Sequence, residues 1–227
     1  MCWSIESSRN AYIIGTIASI TLLYYGDSVD KNIGLFFLVV AQMQLIEYFI
    51  WKDKSCGLMN HYASRMIVPV LALQTIAMIS GGYFFESTLL THNEIKSVFI
   101  IGLTLAGGFM GYNLYATFKE TFCSTKIVNH GILWDTGNAS ITNYSFRSLT
   151  ICWNIFYFTT LFLFPLLWKS NLKKYIGMFL GITALLIILY LNRITWESRW
   201  CFPSAFIPVV FIFIMLLQRC RWIPSNI

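Results

Sequence analysis

Gln44, Glu47 and Trp51 stand at i, i+3 and i+7 in the apolar run that begins at Ile33, so a helix there carries all three on one face, with Gln42 looking elsewhere. The carboxylate is the member that needs a reason. A charge at the centre of a bilayer helix costs roughly 2.5–3.5 kcal/mol on insertion scales, so it normally faces a cavity, a partner or water. Gln74, Asn113 and Asn154 place further amides within later apolar runs. Together the five residues predict a water-accessible pocket that holds a small polar or cationic solute, with Glu47 as the charge partner and the amides as donors and acceptors. A purely structural role competes with that reading. Amides in membrane helices bond across to neighbours at ~0.6 kcal/mol with no ligand involved, and Arg65 and Arg199 are candidate ion-pair partners for Glu47.

Other chemistries lack their residues. His61, His92 and His130 all fall in connections, with no HExxH, no close histidine pair and no CxxC, so the pattern gives no metal site. An intramembrane hydrolase of the ceramidase-like kind needs helix-borne His and Asp ligands that are missing here. The last apolar run holds no deep lysine for a retinal Schiff base, and no GxSxG or phosphate-cradling loop occurs. No cofactor and no nucleic-acid partner is expected, and an intramembrane enzyme ranks last among the function classes.

The elements that must position the polar residues follow from composition. Of 227 residues 57% are hydrophobic and 11% charged, against roughly 25% charged in a soluble domain, which implies an integral membrane protein with the lipid bilayer as its first partner. Windows of about 20 apolar residues are needed to cross ~30 Å of hydrocarbon. Seven are found, at about 11–26, 33–51, 63–84, 96–118, 149–168, 174–192 and 199–217, which predicts an all-α, seven-helix bundle forming one domain over 1–227. Trp51, Trp153, Trp168, Trp200 and Trp222 lie where apolar runs end, as in interfacial belts. The opening MCWSIESSRN lacks the basic and apolar regions of a cleavable signal, so the first span is expected to serve as its own targeting signal. The one long connection, 119–148, is polar and rich in turn formers.

Seven spans put the termini on opposite faces. The 16 Lys and Arg residues divide nine to seven between those faces, which decides nothing. Cys2, Cys56, Cys123 and Cys201 all fall on the N-terminal face, with Cys152 just inside it and Cys220 alone on the other. The sequons 138-NAS-140 and 143-NYS-145, with acceptors Asn138 and Asn143, lie in the long loop of that same face. Disulfides persist in oxidising compartments, so the agreement predicts a lumenal or extracellular N-terminus, in an endomembrane, plasma membrane or virion membrane. Four cysteines allow three pairings. Cys2 and Cys201 both adjoin tryptophan at run ends and so share a depth, which favours Cys2 with Cys201 and Cys56 with Cys123. On the cytoplasmic face 169-KSNLKK-174 and 219-RCR-221 suit anionic headgroups.

Gly107-x-x-x-Gly111 and Gly177-x-x-x-Gly181 permit close helix approach. Pro69, Pro165 and Pro208 are placed inside spans, where kinks are expected. The segment 64-SRMIVPVLAL-73 is similar to 204-SAFIPVVFIF-213, and 45-LIEYFIW-51 to 185-LLIILYLN-192. Parallel 3+1+3 halves of this kind resemble the sugar-transporting SWEET and PQ-loop families, although no Pro-Gln pair occurs. The opening MCWS, 44-QLIEYFIW-51 and 197-ESRWCFPSA-205 together resemble a family of uncharacterised multi-spanning membrane proteins encoded by large DNA viruses of eukaryotes. The resemblance covers most of the chain and implies location and architecture, not mechanism. A carrier or channel is therefore expected first and a receptor-like or scaffold membrane protein second, with the oligomeric state left open.

Overall fold

The computed structural model describes residues 4–118, 120–127, 131–134, 144–191 and 203–222. The chain runs α1 (Ile5–Tyr25), α2 (Ser28–Lys52), α3 (Leu58–Arg65), α4 (Ile67–Phe84), α5 (His92–Ala116), β1 (Thr125–Ile127), β2 (Gly131–Leu133), α6 (Tyr144–Leu163), a 3₁₀ turn (Phe164–Leu167), α7 (Asn171–Leu191) and α8 (Ile207–Arg219). Among the described residues every apolar window is thus largely helical, and the all-α expectation holds there apart from one short antiparallel hairpin, β1 with β2.

Three helices begin at capping boxes, in which a side chain and the backbone three residues on satisfy each other's free N–H groups. Ser4 caps α1 with Ser7, Asp27 caps α2 with Asp30, and Thr91 caps α5 with Glu94. The third window is broken at Met66, which separates α3 from α4. The prolines prove to be boundary residues. Pro69 lies in the first turn of α4, Pro208 in that of α8, and Pro165 in the 3₁₀ turn that ends α6, all positions where a missing N–H costs little.

Among the described residues, three stretches are long and apolar enough to cross a membrane: Ser28–Lys52, Leu58–Phe84 and His92–Ala116. Two of the other windows give helices that are more polar or shorter. The first turns of α1 carry Glu6, Arg9 and Asn10, and the 13 residues of α8 reach only about 20 Å at 1.5 Å per residue. The first two long stretches are central, with 61% and 72% of their apolar windows buried; the third is peripheral at 22%. α2 packs against α1, α4 and α8, and α4 against α2, α5 and α6. α1 and α2 meet closely because Gly34 offers no side chain: a Cβ there would stand 2.7 Å from the Ser19 carbonyl oxygen. Gly107 and Gly111, in contrast, face open space on the outer side of α5 and bring no two helices together.

Tryptophan placement departs from a belt. Trp51, Trp153 and Trp168 are buried and part of the core, whereas Trp222 is 80% exposed; Trp200 lies outside the described residues.

Candidate functional site

The five polar residues expected to share one pocket are distributed over separate places. Gln44 and Glu47 are fully buried on α2. Gln44 Nε2 donates to Glu47 Oε2 at 3.2 Å, and the indole Nε1 of Trp134 donates to Glu47 Oε1 at 3.2 Å. Arg65 stacks its guanidinium over Phe118 at 5.4 Å, and Arg199 lies outside the described residues. Asn113 is buried on α5, and Asn154 is exposed on α6. Gln74, in the middle of α4, is 2% exposed and accepts a 2.5 Å hydrogen bond from Tyr157 of α6.

Trp134 reaches Glu47 because the connection between α5 and α6 folds back onto the ends of α2 and α3. Cys56 and Cys123 form a disulfide with a Cα separation of 5.2 Å, as one of the two expected pairings has it; Cys2 and Cys201 lie outside the described residues. Beside the bridge, the Ser124 N–H donates to Asn60 Oδ1 at 3.0 Å, Asn60 Nδ2 donates to the Ser124 carbonyl at 2.9 Å, and the Ser64 hydroxyl donates to Ser124 Oγ at 2.8 Å. The Phe122 N–H donates to His61 Nδ1 at 3.0 Å. Ile132 and Trp134 then enter an apolar cluster with Met43, Ile50, Trp51 and Ile67. The sequence carried a signal for this in 131-GILW-134, an apolar run within an otherwise polar segment. The sequon residues Asn138 and Asn143 lie outside the described residues.

The same end of the bundle holds a structured turn after α2. Asp53 accepts from the N–H groups of Asn60 at 3.1 Å and Gly57 at 3.0 Å. These two backbone donors hold its carboxyl below the ordinary carboxylate value.

At the opposite end Lys173, on α7, is wholly buried between two carboxylates of the α2 N-terminus. Its ammonium stands 2.5 Å from Asp27 and 2.8 Å from Asp30, with Asp30 1% and Asp27 56% exposed. Lys174 is buried too, at 8%, so these two lysines are unavailable to lipid headgroups, contrary to the expectation for 169-KSNLKK-174; Lys169 remains exposed. Nearby Asn32 clamps α2 to the end of α4. With its amide oxygen turned toward Trp168 Nε1 at 3.3 Å and the Gly82 N–H at 3.1 Å, its nitrogen donates to the Met78 carbonyl at 3.1 Å.

Between these two ends lies a cavity bounded by α2, α4, α6 with its 3₁₀ turn, α7 and α8. Phe36, Phe37, Met78, Trp168 and Phe211 supply its wall, and Gly177 and Gly181 keep the α7 side open. It leaves about 50 Å³ for the centres of water-sized molecules, room for a few waters at ~10–15 Å³ each. Gln74 is the one expected site residue that lines it, and Gln74 Nε2 has no hydrogen-bond partner. Among the described residues no group of three or more His, Cys, Asp or Glu side chains is placed to hold a metal ion. Comparison of the chain with protein-family models, curated proteins and solved structures finds no match.

Proposed function

We propose that this chain is a multi-pass membrane protein, with all seven apolar segments embedded and the N-terminus lumenal, that carries or conducts a small solute through its helix bundle. The observation that supports this most directly is the cavity at mid-height of α4, lined by Gln74, whose buried Nε2 has no hydrogen-bond partner. The likeness to membrane proteins of large DNA viruses suggests a virion or host endomembrane as the setting. Glu47 supports the carrier reading less than it did in the sequence, because it already accepts from Gln44 and Trp134. That same bonding favours a second reading, a scaffold whose buried polar groups hold the bundle together.

Swelling of reconstituted liposomes in isosmotic formamide, glycerol or guanidinium chloride separates the two. The carrier reading expects faster swelling than in protein-free liposomes for at least one solute. It also expects return to the protein-free rate in Gly181→Leu, which fills the cavity from α7. Swelling at the protein-free rate in all three solutes sinks the carrier reading and leaves the scaffold.

A further inference from the structure

Resting on the reading of the cavity as the solute site, we infer that its ligand is a small, uncharged molecule with an apolar body and one hydrogen-bond acceptor, held by Gln74 Nε2. Three observations fix the class. Charge is disfavoured by the wall: among the described lining residues every side chain is uncharged, and most are aromatic or aliphatic. A bare ion there has no counter-charge to offset its desolvation. Size is set by the space, about 50 Å³ of water-centre volume, far below the 300–1,000 Å³ typical of drug-sized pockets. Polarity is set by Gln74. Tyr157 donates to its Oε1, and Nε2, buried and unpaired, is the group left in need of an acceptor. A donor left unpaired at such a site is costly, so the molecule that supplies an oxygen is selected over one of equal shape that does not.

Acetone and 2-methylpropene make the test, since they match in shape and differ by one oxygen. In nanodiscs with ¹⁵N-labelled glutamine, the Gln74 side-chain resonance is assigned by its loss in Gln74→Met. It is then followed during titration with acetone, 2-methylpropene and guanidinium chloride. Acetone is expected to shift that resonance, and the ratio of acetone to 2-methylpropene affinity is expected to be about fivefold higher in the wild type than in Gln74→Met, the worth of one neutral hydrogen bond. In Gln74→Met occupancy is read from methyl resonances of Met78, and 2-methylpropene should be the tighter ligand there, because acetone gives up its hydration with no donor in return. The same affinity ratio in the wild type and in Gln74→Met, preferential binding of guanidinium, or no shift with any of the three each overturns the inference. Because this readout is occupancy and not flux, a protein that binds acetone as described but passes no solute refutes transport alone.

Discussion

Lys173 brings its ammonium into a fully buried position, and Asp30, at 1% exposure, answers it there, while Asp27 stays more than half exposed. Removing one member of a buried ion pair leaves a charge that neither water nor a partner solvates, at ~3–5 kcal/mol. Lys173→Met is therefore expected to lower the apparent Tm in detergent by roughly 6–20 °C. Adding Asp30→Asn should restore much of it, because the stranded charge goes too; a double variant no better than the single one rejects the pair as the cause. Asp53 gives a prediction of opposite character, at the surface. Its carboxyl titrates below the ordinary range when folded, so between the two values the unfolded chain binds more protons. Its contribution is then complete above the ordinary carboxylate value of ~3.9 and is lost as pH falls through the folded one. Asp53→Asn, which keeps one acceptor oxygen, should flatten the acid limb of a Tm–pH curve and change little at neutral pH; an unchanged acid limb counts against this. At this scale the sequence was half legible. The Asp27-x-x-Asp30 spacing is a capping pattern readable on sight, but its lysine lies 146 residues away from Asp27, and separation of that kind leaves no local trace. Trp51, Trp153 and Trp168 misled for a related reason: tryptophan ends apolar runs both in interfacial belts and in cores, and only packing tells them apart.

Residues 120–127 and 131–134 act as a clasp over one end of the bundle. Cys123 is tied to Cys56, Ser124 to Asn60 and Ser64, and Phe122 to His61, so the strand pair that follows is held where Trp134 can enter beside Glu47. The bridge spans 67 residues, for which chain entropy alone gives at most about 4 kcal/mol. On the membrane reading proposed above the effective value is smaller, because α4 and α5 lie within the closed loop and helices in lipid stay formed when a bundle comes apart. Cys56→Ser/Cys123→Ser is thus expected to lower the Tm and to speed hydrogen exchange at Phe122–Trp134 well above that in α2. Equal acceleration across α2 shows instead that the bridge stabilises the bundle globally. Helices were the most legible elements because long apolar runs leave the backbone no other way to satisfy itself. The hairpin was not, since three-residue strands in a polar connection carry too few alternating positions to register. The break at Met66 was hidden within a window whose hydropathy is continuous across it.

For the whole molecule, the sequence set out which segments are apolar, and the fold decides which of them are surrounded. α2 and α4 become the centre, with small residues such as Gly15, Gly34, Ala41 and Ala72 buried on or against them; α5 meets α4 at Gly102 but turns Gly107, Gly108 and Gly111 to open space and becomes rim. That arrangement puts the Cys56–Cys123 bridge and the α1 N-terminus at one end and the Lys173 cluster, the α8 C-terminus and the exposed thiol of Cys220 at the other. The lumenal N-terminus proposed above puts the bridged end in an oxidising compartment, where a disulfide persists, and Cys220 on the opposite side. The last prediction is therefore one of orientation. In intact cells a membrane-impermeant maleimide should leave Cys220 unmodified, and permeabilising the plasma membrane alone should expose it. Cys152→Ser serves as the background so that the second exposed thiol cannot confuse the result. On the bridged side, glycosidase-sensitive mass that disappears in Asn138→Gln/Asn143→Gln should accompany it. Labelling of Cys220 from outside in intact cells inverts the molecule. It would then have to keep its disulfide on the reducing side, where thiol–disulfide exchange with glutathione opposes it, so the same experiment also sets the redox environment in which the clasp has to work.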